Sequence, residues 1–251
     1  MRRVNIIPMA GEGIRFVDQG YKLPKPLIPI NGIPMFVRAA KCLPNADLWI
    51  FICKEDYVLN SKIEDALNQY FSSPKIISVD ILTEGQASTC LLAKKYLRPN
   101  DILTIGSCDC RMYYDKTDYN NKLVTSDALV WTFRNNKSVV KNPEMYGWTI
   151  LDKVGQVSRI SCKVPISDTP MKDHAITGSF SFKKAEYFLE YCDKTISKNR
   201  RVNNEFYLDI VLDECAIGGL NVQPFEVDEY NSWGTPIAVS YTHLRAHETD
   251  R

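Results

Sequence analysis

"NIIPMAGEGIRFVDQGYKLPKPLIPING", Asn5 to Gly32, decides how the rest of the chain is read. Val4–Pro8 is a short apolar run that reads as a first strand. A loop follows with two glycines, Gly11 and Gly13, and then Arg15. Glycines after a first strand permit a tight turn and let backbone N–H groups approach an anion closely. The loop is not the dinucleotide fingerprint, because Phe16 stands where the third glycine belongs. It is not a Walker A loop either, because no Gly-Lys-Ser/Thr follows. Pro24 and Pro26 then flank Lys25, stiffening the backbone around it and biasing it to extended geometry. A surface lysine needs no such clamp, whereas one that must meet a phosphate gains from being pre-positioned. Lys22 reads as a second, rim charge.

Outward from this stretch, strand-like and helix-like segments alternate. Pro34–Cys42 reads as a helix with a proline near its start. Leu48–Cys53, "LWIFIC", is a continuous apolar run, as in a strand buried on both faces. Lys62–Phe71 has Ile63, Ala66, Leu67 and Tyr70 at helical spacing. Lys75–Leu82 is expected as a strand, Gln86–Tyr96 as a helix and Asp101–Ile105 as a strand ending at Gly106-Ser107-Cys108-Asp109. Such alternation favours a parallel sheet with helices on both faces. Beyond Asp109, Ala128–Arg134, Gly147–Asp152, Val157–Lys163 and Ala175–Phe182 are strand-like, and Lys184–Tyr191 and Leu208–Gly218 helical. With no Ser/Gly/Pro linker and no repeat, one domain of two lobes is expected, about 1–112 and 113–238.

The composition bounds what the chain does. Of 251 residues, 45% are hydrophobic and 24% charged, which is ordinary for a globular protein. The 31 basic and 30 acidic residues leave a net charge of +1, so bulk attraction to nucleic acid or an anionic membrane is not implied. No apolar run approaches the roughly 20 residues that span a bilayer. The run after Arg2-Arg3 is broken by Pro8 and Gly11, too short for a signal-peptide core. Eight scattered cysteines form no CxxC, which argues against zinc or a redox dithiol and for a reduced, cytoplasmic setting. The last thirteen residues, "VSYTHLRAHETDR" from Val239 to Arg251, look like translated sequencing adapter. They are expected to be non-native and to add nothing to the core, with the natural chain continuing differently past residue 238.

The stretch "PMAGEGIRF" followed by "GYKLPKPLIPINGIPM" resembles the signature of the nucleotidyltransferases that make nucleotide-sugars, a family including sugar-1-phosphate nucleotidylyltransferases and cytidylyltransferases for phosphocholine-like substrates. The resemblance implies a Rossmann-like α/β fold of the nucleotide-diphospho-sugar transferase type, a nucleotide-binding lobe followed by a mixed acceptor-binding lobe. It implies catalytic roles for Arg15 and Lys25, and nucleotide binding by Ala10, Gly11 and Gly13. "TEGQAS", Thr83–Ser88, resembles the loop that reads the nucleobase, through Gly85 and Gln86. "IGSCDC" resembles the strand-end motif in which an aspartate, here Asp109, holds a catalytic Mg²⁺ (or Mn²⁺). "MYGW" brings Tyr146 and Gly147 beside the acceptor, "VSRISCKVP" brings Lys163, "ITGSFSF" Gly178 and "NNEFYLD" Glu205.

Two departures stand out. Cys162 replaces the glutamate of the family's Glu-Lys-Pro, with Val164 inserted before Pro165. No carboxylate directly precedes Gly234-Thr235, so either Asp228 supplies a second metal ligand or Asp109 serves with waters and phosphates. The implied partners are a nucleoside triphosphate and a phosphorylated small-molecule acceptor for surface-glycan precursors; homo-oligomerisation stays open. Two other readings remain. One is a glycosyltransferase of similar architecture, though Cys108-Asp109-Cys110 matches its Asp-x-Asp poorly. The other is a non-catalytic nucleotide-binding module.

Overall fold

The computed structural model describes residues 1–240. The first half contains β1 (Arg3–Met9), α1 (Ile14–Val17), the hairpin β2 (Pro29–Ile30) and β3 (Ile33–Pro34), α2 (Met35–Ala40), β4 (Leu48–Lys54), α3 (Glu55–Asn60), α4 (Ile63–Tyr70), β5 (Lys75–Val79), α5 (Gln86–Leu91) and β6 (Ile102–Ile105). β1 pairs in parallel with β4 on one side and β6 on the other, and β5 adds in parallel to β4. These strands are apolar without alternation because both faces are covered: Ile6, Ile50 and Ile52 face one core, and Ile7, Phe51 and Cys53 the other. α5, α8 (Ala185–Ser197) and α9 (Leu208–Ile217) cover the first face; α2, α4 and α6 (Lys116–Thr125) cover the second. Met9 pairs with Cys53, so β1 and β4 end at one sheet edge. That carboxyl edge is where open α/β sheets place their ligands.

The second half adds β7 (Cys110–Tyr113), β8 (Ala128–Phe133), α7 (Ser138–Lys141), β9 (Gly147–Leu151), β10 (Val157–Cys162), β11 (His174–Phe182), β12 (Val222–Glu226) and β13 (Glu229–Ser232). β11 runs antiparallel to β6, β8 and β9, which joins the two lobes into one nine-stranded sheet, β10-β9-β11-β6-β1-β4-β5, with β8 branching from β11 and β12 pairing in parallel with β8. The first lobe is therefore parallel and the second mixed, as the alternation predicts. α9 is tied by charge to β10 and to the turn after α8: Arg159 Nε donates to Asp213 at 2.9 Å, Arg200 donates to Asp213 at 2.7 Å and to Glu214, and Lys198 donates to Glu214 at 2.7 Å.

Differences from the sequence reading have local causes. β5 stops at Val79, because Ile81 and Leu82 turn outward and are exposed. The helix from Gln86 breaks at Leu91 and resumes as a 3-10 turn at Lys94–Tyr96. α8 runs on to Ser197, since Cys192 and Thr195 continue its buried stripe. The tail expectation is corrected at its first residue. Residues 236–240 are helical, and Val239, 1% exposed, packs with Phe16, Ile28, Ile30, Met35 and Trp233. Tyr241, Leu244 and the rest of that segment lie outside the described residues.

Candidate active site

Lys25 and Asp109 form the centre of the site. Lys25 opens a 3-10 turn whose first residues include Pro26, with Pro24 just before it. Its Nζ pairs with Asp109 Oδ2, while Ser107 donates its hydroxyl to the other carboxylate oxygen. Gly13 takes a left-handed φ of 64°, and a Cβ there would lie 3.1 Å from the Lys25 Cβ; glycine is what lets the lysine stem run against the loop. Burial disfavours the Lys25 ammonium, yet the neighbouring Asp109 outweighs burial and raises its pKa. Asp109 answers in kind: burial pushes it up, but Lys25 and Ser107 bring it below its ordinary value. Both groups are charged at neutral pH. Burial, and then Asp109, push the Cys108 thiol up to about 11, so it stays protonated beside them.

A cleft of about 730 Å³ lies beside this pair and is lined by Lys25. One wall is residues 10–16, with Lys25 beneath; the other is residues 82–86 with Thr89, Asn203, Asn204 and Glu205. Ala10, Gly11, Gly13, Arg15, Lys25, Gly85 and Gln86 are thus brought together. Arg15 is exposed on the rim, near enough to lower the Lys25 pKa slightly in opposition to Asp109. Gly85 sits at φ 115°, a conformation open to glycine, and a Cβ there would fall 2.6 Å from the Phe206 N. The close approach arises because the 84–87 turn and the 203–206 segment are stitched by backbone bonds, Phe206 N to Glu84 O at 2.8 Å and Ala87 N to Phe206 O at 2.9 Å.

The expected acceptor residues divide. Glu205 lines the cleft with Gln86 and also bears on Tyr207 and Cys162, beside Lys163. Tyr146, Gly147 and Lys163 form a second group: Lys163 N donates to Tyr146 O at 3.1 Å, and Gly147 pairs with Cys162. Lys163 holds a left-handed φ of 65°, its Nζ donating to Met145 O and lying 5.5 Å from the Tyr207 ring centroid. Asp109 is near enough to this group to help raise the Tyr146 phenol pKa, after burial. Gly178 lies against Ser107, where a Cβ would be 3.5 Å from the Ser107 Cβ.

Asp209, which the sequence reading passed over, backs onto Gly147 so closely that a Cβ there would be 2.1 Å from its Oδ2. Burial raises its pKa, with Lys163 and Cys162 opposing. Ser107 was missed too; only its place two residues before Asp109 could have signalled it.

Asp228 is a correction. β13 pairs antiparallel with β7, Ser232 opposite Cys110 and Glu229 opposite Tyr113, and Asp228 N donates to Tyr113 O at 2.8 Å. Asp228 thus lies at the far end of the pair, four residues or about 13 Å of strand from Ser232. It lines a separate hollow with Arg134 and Glu226. Beside Asp109 stand Trp233, whose N donates to Asp109 O at 2.7 Å, and Gly234. Among the described residues no three His, Cys, Asp or Glu side chains form a metal-binding group. Asp109 is a hard oxygen donor of the kind that Mg²⁺ takes, since that ion usually binds through one or two carboxylates.

The fold is shared with known structures. A nucleoside-diphosphate-sugar pyrophosphorylase from Vibrio cholerae superposes with a TM-score of 0.76, covering 96% of this chain and 99% of that one at 22% identity. The inositol-1-phosphate CTP transferase from T. maritima gives 0.71, covering 98% and 95% at 13% identity. HddC from Yersinia pseudotuberculosis, complexed with GMP-PN, gives 0.66 over 98% of this chain and 100% of that one at 16% identity. No protein-family profile and no curated protein sequence matches the chain. The chain has the nucleotidyltransferase fold, over essentially the whole length of these proteins.

Proposed function

We propose that the protein is a nucleotidyltransferase that joins the nucleoside monophosphate of a nucleoside triphosphate to a phosphorylated small acceptor, a sugar 1-phosphate or a phosphocholine-like compound. The observation that carries the reading is the proline-clamped Lys25, paired with a strand-end carboxylate under a glycine loop in a cleft of nucleotide size. An acceptor phosphate oxygen attacks the α-phosphorus; the bond from the α-phosphorus to the bridging oxygen breaks, and pyrophosphate leaves. The nucleophile is already an anion, so no general base is required. Catalysis is then positioning and charge neutralisation.

Backbone N–H groups of residues 11–13 and the Arg15 guanidinium hold the outer phosphates. Lys25 leaves Asp109 for the α-phosphate, where its charge meets the oxygens as bonds change. Asp109 would hold Mg²⁺ (or Mn²⁺), which when bound neutralises phosphate charge. Gly85 lets a base lie against backbone, and the Gln86 amide offers both donors and an acceptor. Tyr146, Gly147 and Lys163 receive the acceptor, with Gly178 keeping the floor near Ser107 open.

The product is read as a precursor for a surface glycan, and the eight free thiols suit a reducing cytoplasm. A screen of four nucleoside triphosphates against phosphorylated sugars and phosphocholine tests the reading. One pair is expected to release pyrophosphate only when both substrates are present; acceptor-independent release or none across the panel contradicts it.

A further inference from the structure

Tyr57 stands outside the cleft, on α3, directly behind the glycine loop. Its ring packs against the core beneath β4, and its hydroxyl lies 3.1 Å from Gly11 O and 3.4 Å from Glu12 O. The phenol has one proton, so it shares one O–H between two successive carbonyls. β1 and β4 are parallel neighbours ending in register at Met9 and Cys53. The helix that follows β4 therefore stands beside the loop that follows β1. Lys54, the last residue of β4, adds a looser hold, with its Nζ 3.6 Å from Glu12 Oε1.

The direction of those carbonyls matters. No peptide bond in the described residues is cis. In a trans peptide the C=O and the following N–H point opposite ways. With the Gly11 and Glu12 carbonyls drawn to Tyr57, the N–H groups of Glu12 and Gly13 point away from it. Gly11, Glu12 and Gly13 line the cleft, and Tyr57 does not. The amides turned from Tyr57 thus belong to residues that line the cleft. Successive amides aimed into one hollow form an anion-binding concavity.

We propose that Tyr57 is a positioning residue: its hydroxyl ties the carbonyls of Gly11 and Glu12 from behind, so that the amides of Glu12 and Gly13 are already aimed at the triphosphate before it arrives. The proposal rests on the transferase reading for the identity of the ligand, but not for the geometry. A tether of this kind acts on the ground state and the transition state alike, so its loss shows in binding rather than in turnover.

The test is Tyr57→Phe, which removes one oxygen and keeps the ring. Inorganic pyrophosphate is titrated into ¹⁵N-labelled wild type and variant, and melting temperature and steady-state kinetics are measured on both. In the wild type the Glu12 and Gly13 amide resonances are expected to shift as pyrophosphate binds. In Tyr57→Phe pyrophosphate affinity falls about three- to tenfold, the scale of one lost hydrogen bond. KM for the triphosphate rises by the same factor, while kcat stays within about twofold and the melting temperature within about 2 °C.

Several results would overturn the tether: pyrophosphate affinity in the variant within twofold of wild type, wild-type amides that do not move, or a fall in melting temperature that accounts for the lost affinity. If the amides shift and the variant weakens them, but no triphosphate yields pyrophosphate with any acceptor, the transferase reading fails and the tether survives.

Discussion

At the scale of single residues, Lys25 is the group on which the chemistry turns. Its charge faces Asp109 here and is proposed to face the α-phosphate during transfer. Lys25→Ala is expected to lower kcat by about 10²–10³, the scale for removing one preorganised group that stabilises transition-state charge, with a smaller change in KM. Steady-state kinetics on purified variant check this; a kcat within tenfold of wild type removes Lys25 from the chemistry. Asp109→Asn is expected to raise the Mg²⁺ concentration needed for half-maximal rate at least about tenfold, by loss of the charged ligand. Activity unaffected by EDTA in the wild type would contradict it. Lys25 and Asp109 were legible in the sequence because their signals are local: a proline on each side, and a carboxylate at the end of an apolar run. Ser107 and Asp209 were not, since what they touch is set by tertiary approach. Asp228 misled for the same reason: nearness in sequence to Gly234 said nothing about which end of a strand it would occupy.

At the scale of elements, the 84–87 turn and the 203–206 segment behave as one unit. Gly85→Ala places a methyl 2.6 Å from the Phe206 N at a φ that disfavours any side chain. It is expected to destabilise the protein by about 1–3 kcal/mol, as overpacking does, and to raise KM for the triphosphate at least as much as it lowers kcat. Thermal melting and kinetics together check it; an unchanged KM would mean this turn does not meet the nucleotide. The charge cluster on α9 gives a pH signature. Burial pushes the Asp213 and Glu214 carboxyls up, but Arg159, Arg200 and Lys198 more than offset it, so both pKa values are depressed. A depressed carboxyl contributes stability above its unfolded pKa of about 4, lost as pH falls through the folded value. Arg200→Met should therefore melt below wild type at pH 7, with the gap narrowing as pH falls below about 4. A gap that is constant with pH would assign Arg200 a packing role alone. Alternating apolar runs made β1, β4, β6 and the flanking helices legible. The β7–β13 pair was not, because its strands lie more than a hundred residues apart and neither carries a strong apolar pattern.

At the scale of the whole molecule, one sheet carries both lobes, and β11 is the seam. The chain's described end closes a satellite core in which Val239 packs on Trp233 and Phe16. A chain ending at Ser240 is expected to melt about 3–12 °C above one ending at Ala238. That follows from about 1.5–3 kcal/mol for one buried valine and about 2–4 °C per kcal/mol at this size. Equal melting temperatures would show that this contact contributes nothing.

The central claim is transfer of a nucleotidyl group, and following the α-phosphate tests it most directly. With a triphosphate labelled at the α-phosphorus and the acceptor found by the screen, label is expected in an acceptor-linked diphosphate, in amounts equal to the pyrophosphate released, its rate of formation lowered about 10²–10³-fold in Lys25→Ala. Label that stays in the nucleotide, or passes to free monophosphate regardless of the acceptor, would contradict it.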